Sequence, residues 1–427
     1  MRCDRFPARA GRGAGLALLV AYLCVLAPGC SVLARLTPTP PLEPVRVRFA
    51  FHPSQQGYYE PLIAMFNEEH PDITVEPRTT RTQDTLRSLL RDREADAYVL
   101  YAYDDQFAQL YEQGDLLNLT PLIEQDERFD LSDFNPGVVG ACRREGEMWA
   151  IPFGVNLMVM YYNKDLFDRY GVPYPEMSWT WDDFVSAALL LRDPDEGIYG
   201  CAADGNMTIP LVYQHGGRLL DDWENPTRTT FDDPLTIEAL EWYAELIHDY
   251  DVIPTPEEAN RLYGRDGAPA YVFWRGKAAM YLGSINDRGG ESWGGGARWQ
   301  MEWGMVPLPR DERAATIGFV EALVLSSDIA HPEAGWKWIK FLSAQMPQWT
   351  MPARRSSIGS SAYVEQVGPE VAAVGRASIE DVLIVSSVHT QLGEAFQGYT
   401  QAVEDITSGE TAPMEAMLQA QERSPLQ

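Results

Sequence analysis

Residues 161–191 read YYNKDLFDRYGVPYPEMSWTWDDFVSAALLL. Tyr161-Tyr162-Asn163 closes an extended segment, and Leu166 and Phe167 mark a short amphipathic turn after it. Gly171-Val172-Pro173 stops that turn, because a proline offers no N–H to a helix and its ring collides with the preceding turn. A second helix starts at Thr180, whose hydroxyl can cap the free backbone N–H groups, with Asp183 three residues on as in a capping box. Trp181, Phe184, Ala188 and Leu191 then recur on one face, a spacing that predicts core packing.

Outward from this stretch, strands and helices alternate. Val45-Arg46-Val47-Arg48-Phe49-Ala50-Phe51 has strand periodicity, and the loop HPSQQGYYE leads into a helix with Tyr59, Leu62, Ile63 and Phe66 on one side. Ile73 to Glu76 predicts a strand, Thr82 to Arg91 a helix and Ala95 to Ala102 a buried strand. Residues 150–163, AIPFGVNLMVMYYN, form an extended run that Pro152 and Gly154 are expected to interrupt, as at a crossing between domains. Further on come a strand near Ile198 to Ala202, a helix from Ile209 to Gln214 stopped by Gly216-Gly217, and a helix from Pro234 to Tyr250 carrying Leu235, Ala239, Trp242 and Leu246. WGMVPLP at 303–309 reads as a returning crossing, followed by a strand at Ala322 to Leu325. A helix from Pro332 sets Ala334, Trp338, Phe341 and Leu342 on one side. This alternation specifies an α/β fold.

With 427 residues, 45 % hydrophobic and 22 % charged, the chain has enough apolar surface for one large or two medium cores, which excludes general disorder. A net charge of −28 argues against a nucleic-acid groove, since phosphates would be repelled. It offers no attraction to anionic lipid either. Membrane attachment is instead written at the start. Arg2, Arg5, Arg9 and Arg12 precede the apolar run LALLVAYLCVL and then Ala27-Pro28-Gly29-Cys30, the pattern of a secretory signal too short to span a bilayer. Cys30 after small residues resembles the bacterial lipobox, in which the thiol is lipidated and becomes the new N-terminus; Pro28 departs from that pattern, and ordinary secretion is the alternative. Loss of residues 1–29, with four Arg and one Asp, moves the charge from −28 to −31. The proline-containing segment 31–44 reads as a tether.

YNKDLF, the Gly-x-Pro break and TWDDF, then Gly276-Lys277-Ala278-Ala279-Met280 and the WGMVPLP crossing, resemble in order and spacing the bacterial extracellular solute-binding proteins of the maltose-binding type, or family 1. The resemblance runs from about 45 to 420. It implies a two-lobed periplasmic-binding-protein-like fold of type II, with a hinge and a ligand cleft between the lobes. The implied order is signal (1–29), lipidated Cys30 and tether (30–44), first lobe (45–152), second lobe (153–306), first lobe again (307–342) and C-terminal helices on the second lobe (343–427). The implied function is that of the extracytoplasmic binding subunit of an ATP-driven (ABC) importer, a monomer without cofactor, delivering a carbohydrate to a membrane permease served by a separate ATPase. Cys142 and Cys201 would fall in different lobes, so two buried free thiols are expected in place of a bridge.

The resemblance also nominates cleft residues. The loop after the first strand supplies Gln56, Tyr58 and Tyr59, of which one tyrosine belongs to the core by the helix stripe. Tyr103 and Asp104 follow the strand ending at Ala102, and Asp104 can equally be an N-cap. Asn156 falls on the first crossing, Asp204 and Asn206 in a loop of the second lobe where they can equally form a turn, and Ser284 and Asn286 after the GxxAM strand. Arg354 or Arg355 would come from the loop after the third crossing, and Trp293 and Trp274 are stacking candidates. Aromatic faces and hydrogen-bonding amides and carboxylates suit sugars.

Enzyme signatures are missing: the sequence has no Gly-x-Ser-x-Gly elbow, no phosphate loop and no Cys-His nucleophile context. Sixty-two carboxylates guarantee pairs at glycosidase distance by chance, so a carbohydrate hydrolase is the lesser alternative. The six His show no ligand spacing for a metal. Glycerol phosphate or polyamine is the nearer rival, and Arg354-Arg355 keeps a phosphorylated solute open.

Overall fold

The computed structural model describes residues 43–79, 94–101, 105–223, 226–263, 268–290, 298–384 and 390–426. The signal and tether segment with Cys30, the helix expected over 82–91, Tyr103, Asp104 and Trp293 lie outside them.

The strands are β1 (Val45–Phe51), β2 (Ile73–Thr79), β3 (Ala97–Tyr101), β4 (Arg143–Arg144), β5 (Glu147–Met148), β6 (Ile151–Asn163), β7 (Tyr199–Ala202), β8 (Ala278–Ser284), β9 (Trp303–Val306), β10 (Thr316–Leu325), β11 (Met351–Pro352) and β12 (Val382–Ile384). Apart from the β4-β5 pair they form one ten-stranded sheet in the order β2-β1-β3-β10-β6-β8-β7, with β9 and β11 also on β6 and β12 on β10. The first half, β2-β1-β3, is parallel, and so is the β7-β8 pair of the second half. β6 and β10 join the two halves, antiparallel to each other from Leu157↔Gly318 to Ile151↔Leu323.

The thirteen-residue β6 corrects the expected break at Pro152 and Gly154. The strand survives because its register against β10 shifts between Glu321 and Ala322: Pro152 pairs with Ala322, Gly154 with Glu321, and Phe153 has no partner residue on β10. A proline is tolerated at such a bulge, where the ladder is already interrupted.

Strand alternation decides which residues enter which layer. In the second half, Tyr161, Tyr281 and Met305 face one hydrophobic cluster, while Met160, Tyr162, Met280, Leu282 and Val306 face the other. The helix Pro369–Ser378 covers the first face, through Val371, Ala372 and Val374. The second face is covered by the helices Trp181–Leu191, Thr208–Gln214, Pro234–His248, Thr390–Ser408 and Pro413–Arg423. In the first half, Phe49 of β1 meets Tyr59 and Trp338 edge-on at centroid distances of 5.0 and 5.2 Å, joining the helices Gln56–Glu69 and Pro332–Ser343 to the sheet. Each such fully buried aromatic contributes on the order of 2 kcal/mol from apolar burial.

The opening stretch folds as read. Thr180 Oγ1 accepts from Asp183 N at 3.3 Å, Asp183 Oδ2 accepts from Thr180 N at 2.9 Å, and Trp181, Phe184, Ala188 and Leu191 are buried. Gly171 at φ 67° ends the preceding helix in the left-handed region that glycine tolerates. The helix Pro234–His248 differs from its expected stripe: Leu235 is exposed and Ile237, Leu240, Tyr243 and Ile247 are buried beside Ala239 and Leu246. Its N-cap, Asp233, accepts from both Leu235 N and Thr236 N. Cys142 and Cys201 are free and buried, in different clusters.

Candidate ligand-binding crevice

The strand directions define one place where a ligand can sit. β1 and β3 run toward the middle of β6 from the first half, with Tyr101 opposite Glu321 on β10. β7 and β8 run toward it from the second half, with Ser284 opposite Met158. Carboxyl ends of parallel strands from both sides therefore converge on residues 154–158, and in open α/β sheets ligands bind in the crevice outside such ends.

Three of the nominated residues meet there. Asn156 Oδ1 accepts from Ser284 Oγ at 2.5 Å and from Asn286 Nδ2 at 2.9 Å, and the Asn286 backbone N–H donates to Ser284 Oγ at 3.1 Å. Both lone pairs of the Asn156 carbonyl are thus filled, and its Nδ2 takes no acceptor among the described residues. The Asn156 amide N–H₂ is therefore a preset donor of the kind that a hydroxyl oxygen can accept from.

A rigid base supports this cluster. Asp287 Oδ2 accepts from Ser284 N at 2.9 Å and from the Tyr281 hydroxyl at 3.0 Å. The Tyr161 hydroxyl donates to Ser284 O at 2.8 Å and accepts from Arg288 N at 3.0 Å. Burial, reinforced by the Asp287 charge, pushes both phenols well above their ordinary range, so they remain neutral donors.

The other nominated residues have different placements. Tyr59, expected to contact ligand, is 1 % exposed and belongs to the core, packed on Phe49 and Phe51, because the helix that starts at Gln56 turns it inward. Tyr58, its neighbour, is half-buried and donates its hydroxyl to Met346 O at 2.7 Å. Gln56 is exposed and bonded to Glu60 at 2.7 Å. Asp204 and Asn206 are exposed and form a turn after β7, with Asp204 Oδ1 accepting from Asn206 N at 3.0 Å. Arg354 is committed elsewhere: it donates to Ser343 O at 3.0 Å and pairs with Asp133 Oδ2 at 3.3 Å, with its guanidinium 4.6 Å from the Phe134 ring centre. Arg355 is exposed and pairs with Glu380 at 3.2 Å. Trp274 donates to Arg298 O at 3.4 Å.

The chain matches the bacterial extracellular solute-binding protein family over residues 52–349. It belongs to that family. A mannitol-binding protein from Pseudomonas aeruginosa is 28 % identical over 202 residues, 44 % of each chain, so this chain spans less than half the length of that relative. An ABC transporter substrate-binding protein from Listeria monocytogenes, solved with cycloalternan, shares the fold with a TM-score of 0.72 at 24 % identity, covering 89 % of this chain and 97 % of that one. The sugar-binding protein MalE from Xanthomonas citri has a TM-score of 0.73 at 20 % identity, covering 89 % and 96 %. The architecture is therefore the two-lobed solute-binding fold, and the convergence point of the strands is the seam between its lobes.

Elsewhere in this solute-binding chain lie further groups that the sequence did not single out. Trp223 donates to Ile384 O at 2.8 Å and lies edge-on to Tyr213 and Phe396, giving half-buried aromatic surface on the second lobe. Nothing in the local pattern separates Trp223 from the other eleven tryptophans. A cavity of ≈ 580 Å³ borders Asp204 and Asn206, floored by Ile209, Ile253 and Tyr243 and edged by Glu404. Glu321, the buried carboxyl of β10, sits beside Gly154 at the seam. Alternation in TIGFVEALVL marks Glu321 as out of place in an apolar strand, and that was the available signal.

Proposed function

We propose that this chain is the extracytoplasmic binding subunit of an ABC importer that takes an uncharged carbohydrate into the crevice between its lobes and hands it to a membrane permease, the ATPase being a separate chain. The observation that carries the reading is the Asn156–Ser284–Asn286 cluster, whose two hydrogen bonds to Asn156 Oδ1 fix its amide N–H₂ as a donor that a sugar hydroxyl oxygen can accept from. The mannitol, cycloalternan and sugar ligands named for its relatives support the same class. Arg354, the cation that a phosphorylated solute would have used, is spent on Asp133 and Ser343, which counts against glycerol phosphate. Ligand closes the lobes because it binds the closed form better, and only that difference in affinity moves the equilibrium.

The N-terminal segment supplies attachment in this reading: signal cleavage before Cys30, acylation there and a tether to residue 44, placing a monomer at the outer face of the cell membrane. Carboxylates on the outer faces of both lobes dock onto the permease. Labelled palmitate incorporated by wild type and lost in Cys30→Ser tests the anchor.

Polyamine is the second reading, favoured by one feature: Asp204, Glu404, Asp405 and Glu410 edge the cavity that borders the turn after β7, and among the described residues no lysine or arginine lines it. A thermal-shift screen against mono- and oligosaccharides, glycerol phosphate and polyamines separates the classes, since a ligand of the folded state raises the melting temperature. A rise only with polyamines would overturn the carbohydrate reading.

A further inference from the structure

The turn after β8 carries Ser284 and Asn286 and ends in Asp287, which is 8 % exposed. Asp287 closes that turn twice. Its backbone N–H donates to Ser284 O at 2.9 Å, and its Oδ2 accepts from Ser284 N at 2.9 Å. This Ser-x-x-Asp pairing resembles a capping box built on a single turn, with Ser284 Oγ accepting from Asn286 N. Ile285 N donates to Leu157 O at 2.8 Å and anchors the same turn to β6.

The floor beneath the turn is aromatic. The Tyr281 hydroxyl donates to Asp287 Oδ2 at 3.0 Å, with its ring lying over Gly283. Position 283 has no room for a side chain: a Cβ there would stand 2.3 Å from Tyr281 Cε1 and 2.8 Å from Asp287 Oδ2. The Tyr161 hydroxyl donates to Ser284 O at 2.8 Å and accepts from Arg288 N at 3.0 Å. Tyr161 and Phe273 stack on Tyr281 with ring centroids 5.9 and 5.5 Å away, so the rings that carry these hydroxyls are themselves held.

The consequence reaches Asn156. Because Ser284 Oγ accepts from Asn286 N, its own proton is left for Asn156 Oδ1. Asn286 Nδ2 donates to the same oxygen. The Asn156 amide cannot exchange its oxygen and nitrogen without losing both bonds, so the turn decides which end of that amide is free.

We infer that Asp287 is a positioning residue of the crevice: by fixing the turn 284–287 over Tyr281 and Tyr161, it sets the direction of the Asn156 amide donor. Its effect on affinity rests on the carbohydrate reading, whereas its effect on the amides does not. The two bonds to its carboxylate are charge-assisted and stronger than neutral ones. Asp287→Ala removes both, while Tyr281→Phe removes one and keeps the stacked ring.

Side-chain amide exchange, followed by nuclear magnetic resonance on the full chain labelled at asparagine nitrogen, tests this without a ligand. With the Asn286 signal assigned by its loss in Asn286→Ala, that NH₂ group should exchange with water at least about tenfold faster in Asp287→Ala and in Tyr281→Phe than in wild type. Asp287→Asn, whose amide oxygen accepts the same two bonds, should keep exchange slow. By calorimetry, affinity for a carbohydrate found by screening should fall about tenfold in Tyr281→Phe and be retained in Asp287→Asn. In an Asn156→Ala background Tyr281→Phe should cost nothing further, because a positioning residue acts through the group already removed; a general loosening of the fold would add in full. Tyr281→Phe carries the test if Asp287→Ala fails to fold. Unchanged exchange in Tyr281→Phe, or additive losses in the double variant, would overturn the inference. Failure of wild type to bind any carbohydrate would strike the carbohydrate reading, and the exchange result then decides the positioning by itself.

Discussion

Asn286 donates its side-chain amide to Asn156 Oδ1 at 2.9 Å across 130 residues of sequence, and that bond ties the loop after β8 to the strand that crosses between the lobes. Ser284 reaches the same oxygen from the same loop. The loop and the crossing strand therefore hold these polar groups as one preformed unit, and under the proposed carbohydrate reading this lowers the ordering cost of binding.

Asn156→Ala removes the Asn156 donor and leaves Asn286 and Ser284 without their shared acceptor. Affinity for a carbohydrate identified by screening should fall by about 10- to 100-fold, equivalent to roughly 1.4–3 kcal/mol. Titration calorimetry measures it. The melting temperature without ligand should also fall modestly, since the buried Asn286 amide loses its acceptor, so the titration is run well below the transition of either chain.

Gly154→Ala places a methyl group 1.8 Å from Thr350 Oγ1 and 2.8 Å from Thr350 Cβ. The change should destabilise the chain by about 1–3 kcal/mol through overpacking. Thr350→Gly in the same chain should restore part of that loss, and a double-mutant cycle from denaturant unfolding measures the coupling.

Arg354→Ala breaks an ion pair whose side chains are 14 % and 22 % exposed, uncovers the faces of Phe129 and Phe134, and leaves Asp133, among the described residues, with only its two Ser356 hydrogen bonds. Stability should fall by about 2–4 kcal/mol. Ligand affinity, measured by calorimetry below the melting transition, should stay within about twofold, because Arg354 contributes hydrogen bonds to Ser343 and Asp133 and none to the Asn156 cluster.

Burial pushes the Cys142 thiol up to about 12, and raises Cys201 as well. Neither forms thiolate at neutral pH, so neither should react with iodoacetamide in the native state. Peptide mapping after alkylation should find both modified only when denaturant is present, and a reducing agent should leave the melting temperature unchanged.

The sequence carried the fold further than it carried the site. Thr180, Asp183 and the stripe Trp181–Leu191 fold as read because capping and helical periodicity are local. Asn156, Ser284 and Asn286 come together because strand direction carries them to one seam. Tyr59 is buried as its place on the helix stripe with Ile63 and Phe66 indicates, because that periodicity is local, whereas the Tyr58 hydroxyl goes to Met346 O, 288 residues away. Arg354 was open to a ligand role because its partner Asp133 lies 221 residues away. Pro152 and Gly154 signalled a break, whereas the shift of β10 at Glu321 absorbs the proline and the glycine makes room for Thr350, and both compensations lie far from the strand in sequence.

The most direct test of the central claim is titration calorimetry of wild type and Asn156→Ala with the carbohydrate giving the largest thermal shift. Saturable binding of that carbohydrate by wild type, weakened by tenfold or more in Asn156→Ala at a temperature where both chains are folded, is the predicted result. Equal affinity in both chains, or binding confined to a phosphorylated or cationic solute, would contradict the account.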